Sequence, residues 1–262
     1  MADRKDDVER AKRAAAERAV ALVAPGMTVG LGTGSTAAHF VERLADRAAD
    51  EALDLTCVAT SEATAKLAGA RGLRVVPLEG AMRIDLTVDG ADEIDGSLRL
   101  IKGGGAALLR EKIVAHASER MVVIADAGKR VAVLGAFPLP VEVVRFGFEA
   151  TRAAVRRLLI DADVDGREVA VRMNGDAPLV TDEGHHILDL HLKRIGDPLA
   201  LAAALVAVPG VVEHGLFLRM ADCAILGRPD GGTEEIAAAG EPGLTPEEAR
   251  SWAEEMTRSI EQ

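Results

Sequence analysis

Three short stretches of the chain hold residue types that do chemistry. Gly30-Leu31-Gly32-Thr33-Gly34-Ser35-Thr36 sets glycines beside three hydroxyls. Backbone N–H groups and hydroxyls at the start of a helix suit a phosphate. The run is not the dinucleotide fingerprint, because Ser35 holds the third glycine position, and not a P-loop, because no Lys precedes the hydroxyl pair. A glycine turn with a hydroxyl cap is the alternative reading. Asp89-Gly90-Ala91-Asp92-Glu93-Ile94-Asp95 crowds four carboxylates into seven residues. Such a group needs a cation, altered proton affinities or solvent. It reads as an acid/base pair, a metal site or an exposed acidic turn. Asp89 stands out because it follows the apolar run Leu86-Thr87-Val88. Lys102-Gly103-Gly104-Gly105 costs chain entropy at every glycine. An ammonium beside backbone N–H groups at a helix start makes an oxyanion or phosphate site. A flexible linker is the alternative reading, although linkers rarely sit between an apolar strand and an Ala-rich helix.

Single residues say less. Glu111, between Arg110 and Lys112, reads as an ordinary helix residue, and Lys129, after Ala125-Asp126-Ala127-Gly128, as a surface lysine. His185, His186 and His191 fall on an expected hairpin with Asp182 and Glu183 at its turn, where a solvated face is expected rather than a metal.

These stretches need elements to position them. Helical patterns are expected over 6–24, 36–48, 61–70 and 106–118. Strands are expected at Met27–Leu31, Leu55–Ala59, Leu73–Pro77, Ile84–Val88, Leu98–Ile101 and Met121–Ala125. Continuous apolar strands alternating with helices imply a parallel sheet covered on both faces. Ligands bind such sheets at the carboxyl ends of the strands, so the three loops are expected to converge on one edge. After Pro138-Leu139-Pro140 the pattern becomes mixed: strands at 141–144, 168–172, 179–181 and 187–190, helices at 149–160 and 198–207. Phe217–Met220 and Cys223–Leu226 are expected to return to the main sheet. Thr245-Pro246-Glu247-Glu248 reads as a helix start. The expected class is α/β: a Rossmann-like, mostly parallel catalytic domain of residues 1–137 and 209–262, with a smaller α+β domain at 138–208.

Composition narrows the function. A net charge of −11 and 2% aromatic residues argue against nucleic-acid or anionic-membrane partners. An anionic substrate would then need a local positive pocket. Cys57 and Cys223 lie far apart without CxxC or His-rich neighbours, so neither a disulfide framework nor a zinc site is expected. The charged N-terminal stretch lacks the apolar core of a signal peptide, and no run is apolar enough to span a bilayer. A cytoplasmic location is expected.

In order and spacing, these strings resemble the A-type ribose-5-phosphate isomerases. The likeness extends through Ile101–Lys112, Phe137–Val143, Thr181-Asp182 before Gly184, and Pro209–Phe217, from about residue 8 to about residue 230. The resemblance implies interconversion of D-ribose 5-phosphate and D-ribulose 5-phosphate through a cis-enediolate, in the non-oxidative pentose phosphate pathway. It implies no metal, no cofactor, and a homodimer or homotetramer whose partner is a small sugar phosphate. It implies that Thr33, Gly34, Ser35 and Thr36, with Asp89, Gly90, Ala91 and Asp92, bind substrate. Lys102, Gly103, Gly104 and Gly105 then hold the enediolate oxygens, Glu111 is the general base, and Lys129 contacts substrate. Lys12 is a softer match to a phosphate-contacting lysine. One carboxylate on one face of a planar enediolate serves as base and then as acid, while Asp89 and Asp92 exchange protons with sugar hydroxyls.

The chain departs from the family at Thr60-Ser61, where Ser-Ser is common, and at Glu183-Gly184-His185, where Asn-Gly-Asn is common. Two other readings are a sugar-phosphate-sensing domain of a transcription regulator, which has no need of Glu111, and another isomerase or transferase on a related scaffold.

Overall fold

The computed structural model describes residues 2–81 and 83–237. In chain order the elements are α1 (Ala2–Val20), β1 (Thr28–Leu31), α2 (Ser35–Asp50), β2 (Thr56–Ala59), α3 (Glu62–Ala70), β3 (Leu86–Gly90), β4 (Glu93–Ile94), β5 (Leu100–Ile101), α4 (Leu108–His116), β6 (Met121–Asp126) and β7 (Leu139–Val143). They continue with α5 (Phe148–Asp161), β8 (Glu168–Val171), β9 (Met173–Asn174), β10 (Ala177–Pro178), β11 (His186–His191), α6 (Pro198–Val206), β12 (Val211–His214), β13 (Leu216–Phe217), β14 (Cys223–Gly227) and β15 (Thr233–Ala237). The chain divides into two compact units. One comprises residues 2–90, 113–129 and 219–237 of the described chain, the other residues 91–112 and 130–218. The expected small domain, 138–208, falls inside the second unit, which also takes in 91–112, 130–137 and 209–218.

The first unit is built on a six-stranded sheet in the order β15-β14-β6-β3-β1-β2. Five strands run parallel, and β15 closes the edge antiparallel to β14. Side chains alternate across a strand. Val29 and Leu31, Leu86 and Val88, and Val122 and Ile124 therefore share one face, where they pack with Phe40, Val41 and Leu44 of α2 and Ala15, Ala16 and Ala19 of α1. On the other face Val58 and Ile84 pack against Val114 of α4. With few aromatics, close packing falls to small residues, and α1 meets its neighbours through alanines. Ser61 caps α3 by accepting the Thr64 N–H.

The second unit carries a four-stranded antiparallel sheet, β12-β7-β11-β8, and a three-stranded antiparallel one, β13-β5-β4. Val155 and Leu159 of α5 and Leu201 and Leu205 of α6 cover Val141, Val143, Leu188 and Leu190 of the larger sheet.

Several expectations need correction. Helix α1 begins at Ala2 and stops at Val20, short of Pro25-Gly26. Leu73–Pro77 makes only an isolated bridge, Cys57 to Val75, and no strand. Leu179–Thr181 is not a strand; the short β10 lies just before it. Phe217 does not return to the parallel sheet but pairs with Leu100 of β5, and only β14 returns, beside β6. Lys102 likewise follows β5, in the second unit's small antiparallel sheet, so the three loops do not share one edge of the parallel sheet. The helix start expected at Thr245 lies outside the described residues.

Candidate active site

The first unit presents three consecutive strand ends. Strands β1, β3 and β6 are parallel neighbours, and their carboxyl ends lead into residues 32–36, the end of the Asp89 strand and the short 3-10 turn Ala127–Lys129. Asp89, fully buried, is the hub: its Oδ1 accepts the Thr33 N–H at 3.0 Å and the Gly90 N–H at 2.7 Å. A Cβ on Gly32 would stand 2.1 Å from that same oxygen and 2.5 Å from the Asp89 Cα, so only glycine lets the turn close over the carboxylate. The Thr33 hydroxyl is held in a cluster, 2.7 Å from Thr60 Oγ1 and 2.8 Å from Ser61 Oγ. Thr64 completes it, donating to the Gly32 carbonyl at 3.0 Å. The departure at Thr60-Ser61 thus keeps both hydroxyls at work in shaping the turn.

Beyond Thr33 the turn opens. Gly34 caps α2 at φ +111° with no side-chain hydrogen bond, Gly34 and Ser35 are exposed, and no acidic residue occupies the first turn. A sixteen-residue helix with an uncapped, solvent-facing N-terminus offers N–H groups and a positive dipole end to an anion. On α1, Lys12 is bound to Glu9 at 2.7 Å, and with His39 it holds the Glu9 carboxyl down at about 2.

The second unit holds the rest. The Lys102 Nζ lies 3.3 Å from Glu111 Oε1, both side chains being almost wholly buried. Strand β5 delivers Lys102, the glycine turn reverses the chain, and the first turn of α4 carries Glu111 back towards it. The Lys102 N–H donates to the Gly215 carbonyl at 2.9 Å, and the Lys102 ammonium stands 5.4 Å from the centre of the Phe217 ring. Lys112 flanks the same ring at 4.9 Å and donates to Glu213 Oε1 and to the His214 carbonyl, each at 2.6 Å. Burial pushes the Lys112 ammonium below its ordinary range, against the pull of Glu213. Burial, then the Lys112 charge, lower His214 to about 4. Its Nδ1 accepts the Leu216 N–H at 3.2 Å, which fixes the neutral tautomer protonated at Nε2.

The acidic run is not an exposed turn. Asp92 Oδ2 accepts the Gly104 N–H at 2.7 Å, tying the second loop to the third. Glu93 is buried and accepts the Gly135 and Phe137 N–H groups at 2.7 and 2.6 Å. Asp95 caps the Ser97 and Arg99 N–H groups and pairs with the Arg99 guanidinium. Among the described residues no three His, Cys, Asp or Glu side chains converge to hold a metal ion. His185 and His186 are half-buried and partnered rather than solvated. His185 Nδ1 lies 2.9 Å from the buried Glu142, which also accepts the Thr181 hydroxyl, and His186 meets the edge of Phe148.

Within the first unit the structure brings together Thr33, Asp89 and Gly90, with Gly34, Ser35 and Thr36 at the mouth of α2 and Lys129 after β6. Within the second it brings together Asp92, Lys102, Gly103, Gly104, Gly105 and Glu111, with Ala91 half-buried at its start. Sequence reasoning missed Phe217, Lys112 and Arg172. The last of these touches the glycine turn from sixty-eight residues away, a separation that no local pattern reveals.

The family model for ribose 5-phosphate isomerase A (phosphoriboisomerase A) matches residues 56–231. A ribose-5-phosphate isomerase A of Cereibacter sphaeroides is 59% identical over 224 residues, 86% of each chain. One from Dinoroseobacter shibae is 55% identical over 234 residues, 89% of this chain and 90% of the relative. A solved D-ribose-5-phosphate isomerase in complex with phospho-erythronic acid superposes with a TM-score of 0.80 at 36% identity, covering 88% of this chain and 99% of that one. No helix among the described residues is long and apolar enough to cross a membrane.

Proposed function

Because the chain belongs to the ribose 5-phosphate isomerase A family, it interconverts D-ribose 5-phosphate and D-ribulose 5-phosphate in the pentose phosphate pathway, and we propose that Glu111 carries the proton between C2 and C1 of the sugar. The supporting observation is the buried Lys102–Glu111 pair, 3.3 Å apart at the end of a strand and the start of a helix. Glu111 takes the C2 proton. The electron pair left behind forms the C1–C2 double bond, and the former aldehyde oxygen becomes the enediolate oxyanion. The same carboxylate returns its proton to C1. The O2 proton leaves as O2 becomes the carbonyl, and O1 gains one, which closes the balance.

Lys102 and the N–H groups of its turn stabilise the developing oxyanion. Buried, preorganised donors are worth more than exposed ones, and each such donor contributes about 3 kcal/mol by analogy with other oxyanion holes. The α2 N-terminus at Gly34, Ser35 and Thr36 takes the phosphate, and Lys129 supplies positive charge that the chain as a whole lacks. Asp89 and Asp92 exchange protons with the sugar hydroxyls while anchoring the Thr33 and Gly104 backbone. Purified chain treated with EDTA converts ribose 5-phosphate into ribulose 5-phosphate; a folded sample without turnover overturns this reading.

A homodimer or homotetramer in the cytoplasm belongs to the same proposal. Light scattering of the purified chain tests it, a monomer contradicting it.

A further inference from the structure

The glycine turn after Lys102 is gripped from outside. Arg172, just past β8, sends Nη1 to the Gly103 carbonyl at 2.6 Å and to the Gly104 carbonyl at 3.3 Å. Its other two contacts go to one carboxylate: Nε to Asp189 Oδ2 at 2.9 Å and Nη2 to Asp189 Oδ1 at 2.5 Å. Both side chains are more than four-fifths buried. The Arg172 backbone is fixed as well, its N–H donating to Ile187 and its carbonyl accepting from Leu179. The guanidinium is therefore aimed before the turn meets it.

A trans peptide is planar, so its C=O and N–H point in opposite directions. Holding the Gly103 carbonyl on Arg172 turns the Gly104 N–H to the other side, where it meets Asp92 Oδ2 at 2.7 Å. Holding the Gly104 carbonyl turns the Gly105 N–H the same way. No acceptor among the described residues meets that N–H, and Gly104 and Gly105 are exposed. Gly103 lies at φ +104°, which glycine alone adopts freely, and Ala106, which closes the turn by donating to the Gly103 carbonyl, is held against backbone preference at φ +62°. A non-glycine residue there is strained, and its surroundings must outweigh that strain.

We propose that Arg172, oriented by Asp189, is a positioning residue that fixes the peptide planes of the Lys102–Gly105 turn and so aims the Gly105 N–H at the enediolate oxygen. The proposal rests on the reading of that turn as the oxyanion site. Lysine cannot replace this arginine, because an ammonium lacks the planar fork that meets a carboxylate with one edge and carbonyls with another.

The experiment measures kcat and KM for ribose 5-phosphate, and inhibition by phospho-erythronic acid, whose carboxylate imitates the two enediolate oxygens. The variants are Arg172→Met, Arg172→Lys, Asp189→Asn and Lys102→Met. Arg167→Met is the control, since Arg167 also donates to backbone carbonyls, those of Leu159 and Ala162. Arg172→Met is expected to lower kcat about 10- to 100-fold, with KM within about threefold, and to weaken the inhibitor by the same factor as kcat. Arg172→Lys recovers only part of the loss, and Arg167→Met keeps wild-type kinetics. If Arg172→Met does not fold, Asp189→Asn supplies the same comparison with a several-fold loss expected. A folded Arg172→Met with wild-type kcat, or with only a raised KM, overturns the proposal while a slow Lys102→Met leaves the oxyanion reading standing. A Lys102→Met enzyme with wild-type kcat overturns that reading and the proposal with it.

Discussion

Lys102 and Glu111 face each other at 3.3 Å inside the second unit, an ammonium and a carboxylate almost wholly removed from solvent. Eight residues lie between them, and three of those are the consecutive glycines that fold the chain back. Burying such a pair is weakly stabilising at best, because desolvation opposes the attraction. In the proposed mechanism one group moves a proton and the other meets the charge that this creates. Lys102→Met is expected to lower kcat about 10²- to 10³-fold with a smaller change in KM, as for loss of an oxyanion donor. Steady-state kinetics on folded protein check it.

In the proposed site the phosphate end can be tested separately from the chemical end. Ser35 is exposed at the uncapped start of α2. Ser35→Asp places a negative charge at a positive helix end and should raise stability by about 0.3–1 kcal/mol. The same charge repels the substrate phosphate, so KM should rise more than tenfold. Urea melts and KM together test this, and a stabilised variant with unchanged KM removes the phosphate from that helix.

Gly32 and Asp89 are in backbone contact range, and a methyl on Gly32 would stand 2.1 Å from the carboxylate. Gly32→Ala must push Asp89 off the Thr33 and Gly90 N–H groups. A loss of about 1–3 kcal/mol is expected from overpacking, with activity falling alongside. Thermal melting and turnover measured on one preparation check both.

His214 gives the fold an acid-sensitive point. Its folded pKa of about 4 lies below the ordinary histidine value of 6.5, because burial and Lys112 disfavour the imidazolium. Well above pH 6.5 neither state is protonated and the group is silent. As pH falls below about 6.5 the unfolded chain takes up the proton and the folded chain does not, so stability declines until about pH 4. The total is on the order of 3 kcal/mol. His214→Asn keeps an acceptor for the Leu216 N–H and should flatten the profile between pH 6.5 and 4, as read by urea melts across that range.

Much of this was legible in the sequence, for physical reasons. The Thr33 and Asp89 turns follow apolar parallel strands, and such strands announce themselves as continuous runs. The Lys102 turn follows a two-residue strand whose partners are Ile94 and Phe217, and pairs so short and distant leave no periodic trace. That is why Phe217 looked like a strand of the main sheet. An exposed turn stays open as one reading of the acidic run, because nothing local reveals that Glu93 caps backbone around Gly135 and Phe137. Glu111 is a plain helix residue until the turn before it is known to double back. Arg172 gave no signal, since its carbonyl partners are glycines in another part of the chain.

The central claim is that one carboxylate, Glu111, removes the C2 proton. The most direct measurement is washout of deuterium from C2 of labelled ribose 5-phosphate, followed by NMR in wild type and Glu111→Gln, with substrate affinity measured in parallel. The account predicts that Glu111→Gln binds ribose 5-phosphate within a few-fold of wild type and loses C2 exchange and turnover together, by at least about 10³-fold. A folded Glu111→Gln that exchanges the C2 label near the wild-type rate contradicts it.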